Sequence, residues 1–236
     1  MTVQDLAVFD FDWSLIEADS DAAVLTGLSS EQWQRAKTMT NTQWTDLMDQ
    51  SLCELQDQGY TLDKIEKVLR NVQLVPSAMD LLKALKAKNA RVLVLSDANT
   101  HFIDIILKEH GVRDLVSDII TNPAYIDDQG RLRIKRRILA TDPQHNCPNP
   151  CGVNICKGQE LDNYIATHGP FRNIMYVGDG KNDYCPALRL KASDQYFVRS
   201  GKRLADMLAT DVDAAAKLLV PITYWENHEI IVQSLL

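Results

Sequence analysis

A chain of 236 residues, 45% hydrophobic and 24% charged, can bury a substantial core without covalent staples, as one large domain or one domain with an insertion. Its formal net charge of −7 argues against nucleic acid or an anionic membrane surface as the main partner, though not against a small anionic substrate. No stretch reaches membrane-spanning length, the N-terminus lacks a basic region followed by an apolar core, and five cysteines with no secretory signal suggest free thiols in a reducing, cytoplasmic setting.

Residues 6–10 read as a short buried strand, a continuous apolar run with no helical period. The run ends in "VFDFDWSLIEADSD" (8–21), which crowds five acids together: Asp10, Asp12, Glu17, Asp19 and Asp21. From Asp21 to Val75 no strand pattern appears. "SSEQWQRAKTM", "TQWTDLMDQSLCELQDQG" and "TLDKIEKVLRNV" read as helices, which predicts a helical insertion over 21–75 within a core made of 1–20 and 76–236. Beyond it, "PSAMDLLKALKAKN" (76–89) predicts a helix opened by Pro76, and "RVLVLSD" (91–97) a second buried strand. "THFIDIILKEHG" (100–111) predicts a helix closed by a C-terminal Gly, and "DIITN" (118–122) a weaker strand.

"YIDDQGRLRIKRR" predicts a hairpin turning at Asp128, Gln129 and Gly130, with Arg131, Arg133 and Lys135 on one solvated face. "TDPQHNCPNPCGVNIC" predicts a long loop. Cys147, Cys151 and Cys156, with His145 nearby, are spaced Cys-x3-Cys-x4-Cys and not as the Cys-x2-Cys knuckle of common structural zinc sites, so free or buried thiols are the favoured reading. A helix over 157–169, a strand at "NIMYVGDG" (173–180) and a weaker one at "QYFV" (195–198) follow. Strands alternating with helices predict an α/β fold, a doubly wound, Rossmann-like parallel sheet carrying an inserted helical cap.

Such sheets bind ligands beyond the carboxyl ends of their strands. Three strand ends carry polar punctuation: Asp10 and Asp12, Ser96 and Asp97, and Asp179 and Asp183 in "GDGKND". If those strands are neighbours, three or four carboxylates converge, and their repulsion calls for a hard cation such as Mg²⁺, which also accepts a substrate phosphate. A carboxylate can serve as nucleophile, a second as general acid and base, and a hydroxyl and an ammonium, Ser96 and Lys157, can hold phosphate oxygens.

"DFDWS", "VLVLS", Lys157 and "GDGKND", in that order, resemble the four motifs of the haloacid-dehalogenase superfamily. "LSDANT" (95–100), "NPCGVNICKG" (149–158) and "YVGDGKNDYCP" (176–186), supported by "ADSD" (18–21) and "PITYWE" (221–226), are similar to the PHOSPHO-type phosphatases, which act on phosphoethanolamine and phosphocholine. The resemblance runs nearly end to end. It implies a nucleophilic Asp10, a general acid/base in Asp12, and a Mg²⁺ site of Asp10, the main-chain carbonyl of Asp12 and Asp179. Asp183 would ligate the metal or steady its waters, and Ser96 and Lys157 would bind the phosphate. The helical insertion would be the family's cap. The first motif ends in Ser14 where many relatives have Thr, and Trp13 stands beside the catalytic pair, where it could narrow the leaving-group pocket or simply pack under the cap.

Asp21 and Asp97 are the candidates for contacting a cationic head group; each could instead cap a helix. Trp13, Trp33 and Trp44 could supply cation–π contacts or simply pack. His101 and His228 carry no usable signal. The expected partner is a small phosphomonoester, with no protein partner indicated. Pyridoxal 5′-phosphate, thiamine monophosphate and pyrophosphate are the alternative substrates. A reading from another class is a phosphoacceptor module like the response-regulator receivers, against which Asp12 and the insertion count.

Overall fold

The computed structural model describes residues 3–235. Strand β1 (Leu6–Phe9) is followed by four helices, α1 (Ser20–Leu28), α2 (Ser30–Thr38), α3 (Trp44–Asp57) and α4 (Leu62–Arg70), and then by α5 (Ala78–Ala87) and β2 (Arg91–Asn99). The chain continues through α6 (Thr100–Glu109), β3 (Asp118–Asn122), β4 (Ala124–Ile126), β5 (Leu132–Ile134), α7 (Lys157–His168), β6 (Ile174–Gly178) and α8 (Tyr184–Ala187). It ends with β7 (Gln195–Arg199), α9 (Arg203–Thr210), α10 (Val212–Ala216), β8 (Ile222–Trp225) and α11 (Glu229–Ser234).

Six strands form one parallel sheet in the order β3-β2-β1-β6-β7-β8. Alternate residues of β1 enter two different cores. Ala7 and Phe9 join a cluster with Leu81 and Phe102, whereas Leu6 and Val8 join one with Leu161 and Tyr176. Burial on both faces is why β1, β2 and β6 read as unbroken apolar runs. The chain winds one way from β1 to β3 and the other way from β6 to β8, so the switch point lies beside β1. A crevice opens there beyond the strand ends. Phe9 pairs with both Val94 and Val177, which brings Asp10, Ser96 and Asp179 to nearly one level.

Helices α1 to α4 bury Val24, Leu25, Leu52, Leu55, Ile65 and Leu69 in a cluster continuous with one face of the sheet. Two chain segments, side by side, join them to the sheet. Glu17 N–H donates to the Gln73 carbonyl at 2.8 Å, and Val75 N–H to the Leu15 carbonyl at 3.0 Å.

The hairpin turns where the sequence places it, with Gly130 at φ +77° and the Asp127 carboxylate accepting the Gln129 and Arg131 N–H groups. Its basic face is a correction to the sequence reading. Arg131 and Arg133 are not simply solvated: Arg133 binds Asp49 of α3 at 2.6 Å, Arg131 binds Asp57 at 3.1 Å, and Arg136 pairs with Asp46. The Ile134 N–H also donates to Asp49 at 2.8 Å, so the acidic stripe of α3 is the hairpin's docking surface. Strand β8, at the sheet edge and half exposed, was not anticipated, because its apolar pattern is broken. Among the described residues no helix is long and apolar enough to cross a membrane.

Candidate active site

Asp10 leaves the end of β1 with both oxygens engaged. Oδ1 accepts the Phe11 N–H at 2.7 Å, and Oδ2 lies 2.7 Å from Lys157 Nζ. Lys157 is the first residue of α7 and is wholly buried, in a place where the helix dipole disfavours a cation. Its second partner, Asp183 Oδ1 at 2.8 Å, completes the compensation. Burial works against the ammonium charge, but Asp10 and Asp183 outweigh it and raise the Lys157 pKa above that of an ordinary lysine.

Asp183 is saturated by the protein. Its Oδ1 accepts from Lys157 and from the Tyr176 hydroxyl at 2.8 Å, and its Oδ2 accepts the N–H groups of Asp179 and Gly180 at 3.0 and 2.9 Å. The carboxylate lies against the bare backbone of Gly178, where a Cβ would approach it to 2.5 Å. Asp179 turns into the crevice, where the Ser14 hydroxyl donates to it at 3.4 Å. Oxygens of Asp10, Asp179 and Asp183 lie within 4.8 Å of one another. Burial and the Asp183 charge raise Asp10 well above the carboxylate range and Asp179 to about 7, with Lys157 opposing both. Three buried carboxylates thus face one buried ammonium, a donor set of hard oxygens short of positive charge.

Ser96 is fully buried near the end of β2, its hydroxyl accepting the Ala98 N–H at 3.2 Å. Asp12 points the other way from Asp10, toward α1, where Ser20 donates its N–H at 3.0 Å and its hydroxyl at 3.2 Å. Burial, then Asp19, Asp21 and Asp10, push the Asp12 pKa well up, which favours the protonated acid.

These groups open into a cleft of about 800 Å³. Trp33, Lys37 and Trp44, from α2 and α3, line it. Asp21 and Asp97 both line it, and neither caps a helix. Asp19 caps α1 by accepting the Ala22 N–H at 2.8 Å, and Asn99 caps α6 by accepting the Phe102 N–H at 3.0 Å. Asp21 is buried, accepts the Trp44 Nε1–H at 2.7 Å, and is pushed up to about 8 by burial and Asp19. Asp97 is exposed and accepts from the Asn182 amide at 3.2 Å. Trp33 meets Trp44 edge to face at 6.2 Å, while the Trp13 ring already carries Lys202 Nζ 3.3 Å from its centroid.

Several residues here have no signature in the sequence. Tyr176 is an ordinary strand residue until its hydroxyl is found on Asp183. Arg199, at the end of β7, donates to the Trp13 carbonyl at 2.6 Å and to Glu17 at 2.6 Å, clamping the loop that follows Asp12. His228 donates through Nε2 to the Ser14 carbonyl at 2.9 Å from beneath the same loop.

A family described as Putative Phosphatase matches residues 5–236. The chain is 36% identical to inorganic pyrophosphatase 2 of Arabidopsis thaliana over 86% of this chain and 73% of that one. It is also 36% identical to a thiamine phosphate phosphatase-like protein of the same plant, over 84% and 83%. Identity to a phosphoethanolamine/phosphocholine phosphatase of Gallus gallus is 29%, over 86% and 76%. The fold is similar to that of a substrate-bound phosphoserine phosphatase, with a TM-score of 0.62 at 13% identity over 99% of both chains.

Proposed function

We propose that this chain, which belongs to the putative phosphatase family and is a PHOSPHO-type phosphatase of the haloacid-dehalogenase superfamily, acts on small phosphomonoesters carrying a cationic head group. That it is a phosphoric monoester hydrolase follows from the family; the substrate, the metal and the residue roles are our reading. Asp10 and Asp179, with the Asp12 main-chain carbonyl, would hold Mg²⁺, which when bound offsets the charge of the phosphate oxygens. Asp183, its oxygens filled by four protein donors, fixes Lys157 and the 178–180 turn.

Asp10 attacks phosphorus, the bond to the alcohol oxygen breaks, and protonated Asp12 gives its proton to that oxygen. Asp12, now ionised, takes a proton from water, which attacks the aspartyl-phosphate and releases phosphate. Lys157 and Ser96 hold the transferring oxygens. The helices α1 to α4, with 21–75 as cap, close the cleft over the substrate.

The observation that carries the substrate class is Asp21. It is a buried acid released from helix capping, facing the cleft, with no lysine or arginine among the described residues bonded to it. An ammonium or trimethylammonium placed there offsets both the cost of burying its charge and its repulsion with Asp19, and Trp33 and Trp44 line the cleft beside it. Phosphoethanolamine and phosphocholine fit this description best. Thiamine monophosphate is the second reading: its thiazolium is cationic and planar, the tryptophan wall suits a flat ring, and a thiamine phosphate phosphatase-like relative is 36% identical.

The test is phosphate release in Mg²⁺ from phosphoethanolamine, phosphocholine, thiamine monophosphate, pyridoxal 5′-phosphate and pyrophosphate. Preference for the first three supports the cation site; preference for pyrophosphate or pyridoxal phosphate refutes it. Asp12→Asn separates this reading from a phosphoacceptor module. With an aryl phosphate, whose leaving oxygen departs without a proton, turnover should collapse while phosphate still accumulates on Asp10, and surviving turnover sinks the acid/base role.

A further inference from the structure

Residues 135–156, between β5 and α7, contain neither helix nor strand apart from an isolated bridge between Gly152 and Ile155. A connection of this length inside a compact fold needs something to hold it. At its centre lie Cys147, Cys151 and Cys156, joined by Cys185 of α8, which the spacing of the first three does not announce. The sulfurs run Cys147–Cys185 at 3.5 Å, Cys185–Cys156 at 3.8 Å, Cys156–Cys151 at 3.7 Å and Cys151–Cys147 at 3.8 Å, and all four lie within 4.8 Å of one another. None is in a disulfide. A tetrahedron of sulfurs about 2.3 Å from a zinc ion has edges of about 3.8 Å. The four thiols therefore stand at the separations of a closed tetrathiolate.

The surroundings are built for sulfur ligands. Asn149 directs its amide at both Cys147 and Cys185 sulfurs, 3.5 Å from each. Arg189 donates to the Cys185 carbonyl at 2.9 Å, and Cys156 stands at the N-cap of α7, so positive potential stands beside a dianionic centre. His145 is not a competing ligand. Its Nδ1 accepts the Cys147 N–H at 3.0 Å and its Nε2 meets the Gly152 carbonyl at 2.9 Å, so both ring nitrogens shape the loop. Gly158 has no side chain for a reason: a Cβ there would meet the Cys185 sulfur at 2.6 Å.

We infer that Cys147, Cys151, Cys156 and Cys185 form a structural zinc site. Binding Zn²⁺ displaces four thiol protons and ties the start of α7 to α8. Cys156 precedes Lys157, and Cys185 stands two residues after Asp183, so the metal braces the two ends of the Lys157–Asp183 ion pair from outside the cleft. Zinc is preferred over ferrous iron because it binds the same donors more tightly and asks for no redox chemistry.

The experiment is metal analysis of the full-length protein, purified without chelator, together with reconstitution by Co²⁺ after zinc removal under reducing conditions. One equivalent of zinc per chain is expected, retained through gel filtration in millimolar Mg²⁺ and lost in Cys147→Ser and Cys151→Ser. Should those variants fail to fold, the Co²⁺ spectrum of the wild-type chain decides alone: strong sulfur-to-cobalt charge-transfer bands with intense tetrahedral d–d bands support four thiolate ligands. A metal-free chain whose four thiols all react with a thiol reagent, or one that pairs them as disulfides, overturns the site; stoichiometric iron overturns the choice of zinc. These readouts are independent of phosphatase activity.

Discussion

Lys157 and Asp183 form an ion pair at 2.8 Å in which neither side chain has any solvent exposure, and the same ammonium reaches Asp10 at 2.7 Å. A pair this deep is costly to assemble and more costly to break, because removing one member leaves the other charge buried alone. Asp183→Asn keeps the shape but sets an NH₂ against donors that now find a carboxylate. It should lower stability by about 3–5 kcal/mol in urea unfolding. It should also cut kcat roughly 10²-fold through misplacement of Lys157. A variant that keeps full stability but loses activity would instead make Asp183 a metal ligand.

Gly178 gives a separate handle on the same carboxylate. A Cβ there would meet the Asp183 side chain at 2.5–2.7 Å, on a strand end with nowhere to retreat. Gly178→Ala should therefore cost about 1–3 kcal/mol by overpacking. The loss should shrink in the Gly178→Ala, Asp183→Ala double variant, because the clashing group is gone. Additive losses in that double-mutant cycle would show that Gly178 matters for another reason.

Asp21 and Asp97 line one cleft but differ in burial, and that difference sets what each should do. Asp21→Asn removes a buried acid held by Trp44, so kcat/KM for phosphocholine should fall about tenfold, the equivalent of about 1.4 kcal/mol. Asp97→Asn, at an exposed position, should cost less and more so at low salt. Neither should change turnover of an aryl phosphate whose leaving group carries no cation. Equal losses on both kinds of substrate would return both residues to structural roles.

The strands that carry the site were legible because a parallel sheet buried on both faces leaves continuous apolar runs, and the carboxylates stand where those runs stop. Helix caps were less legible. Asp97 looked like a cap because β2 was read as ending at residue 97; the strand continues to Asn99, and the cap moves with it. Asp21 lost its capping role to Asp19 by the same two-residue margin. What lay beyond sequence reasoning is contact across distance. The Trp44 bond to Asp21, the Tyr176 hydroxyl on Asp183 and Cys185 beside three loop cysteines are products of packing, with no fixed spacing to reveal them.

His228 should give the protein an acid limit of its own. Its ring is wholly buried between Phe9 and Trp225, at centroid distances of 6.0 and 4.9 Å. The Ser14 carbonyl can only accept, so Nε2 carries the proton, and Nδ1 has no partner among the described residues. A second proton at Nδ1 would place a charge in an apolar pocket, and burial accordingly pushes the pKa from 6.5 down to about 4. The folded value lies below the unfolded one, so between about 4 and 6.5 the unfolded chain binds more protons and stability rises with pH. The contribution is complete above about 6.5 and is lost as pH falls toward 4, to a total of about 3 kcal/mol. Asp21 and Asp179, raised to about 8 and 7, work in the opposite sense, since their folded forms hold protons the unfolded chain gives up. The His228 effect is therefore read as a difference. Urea unfolding of wild type and His228→Gln at pH 7.5 and at pH 5 should show the variant weaker at both, with a shallower loss on acidification. Equal slopes in the two proteins would remove His228 from the acid limit and leave it as a packing residue under the Ser14 loop.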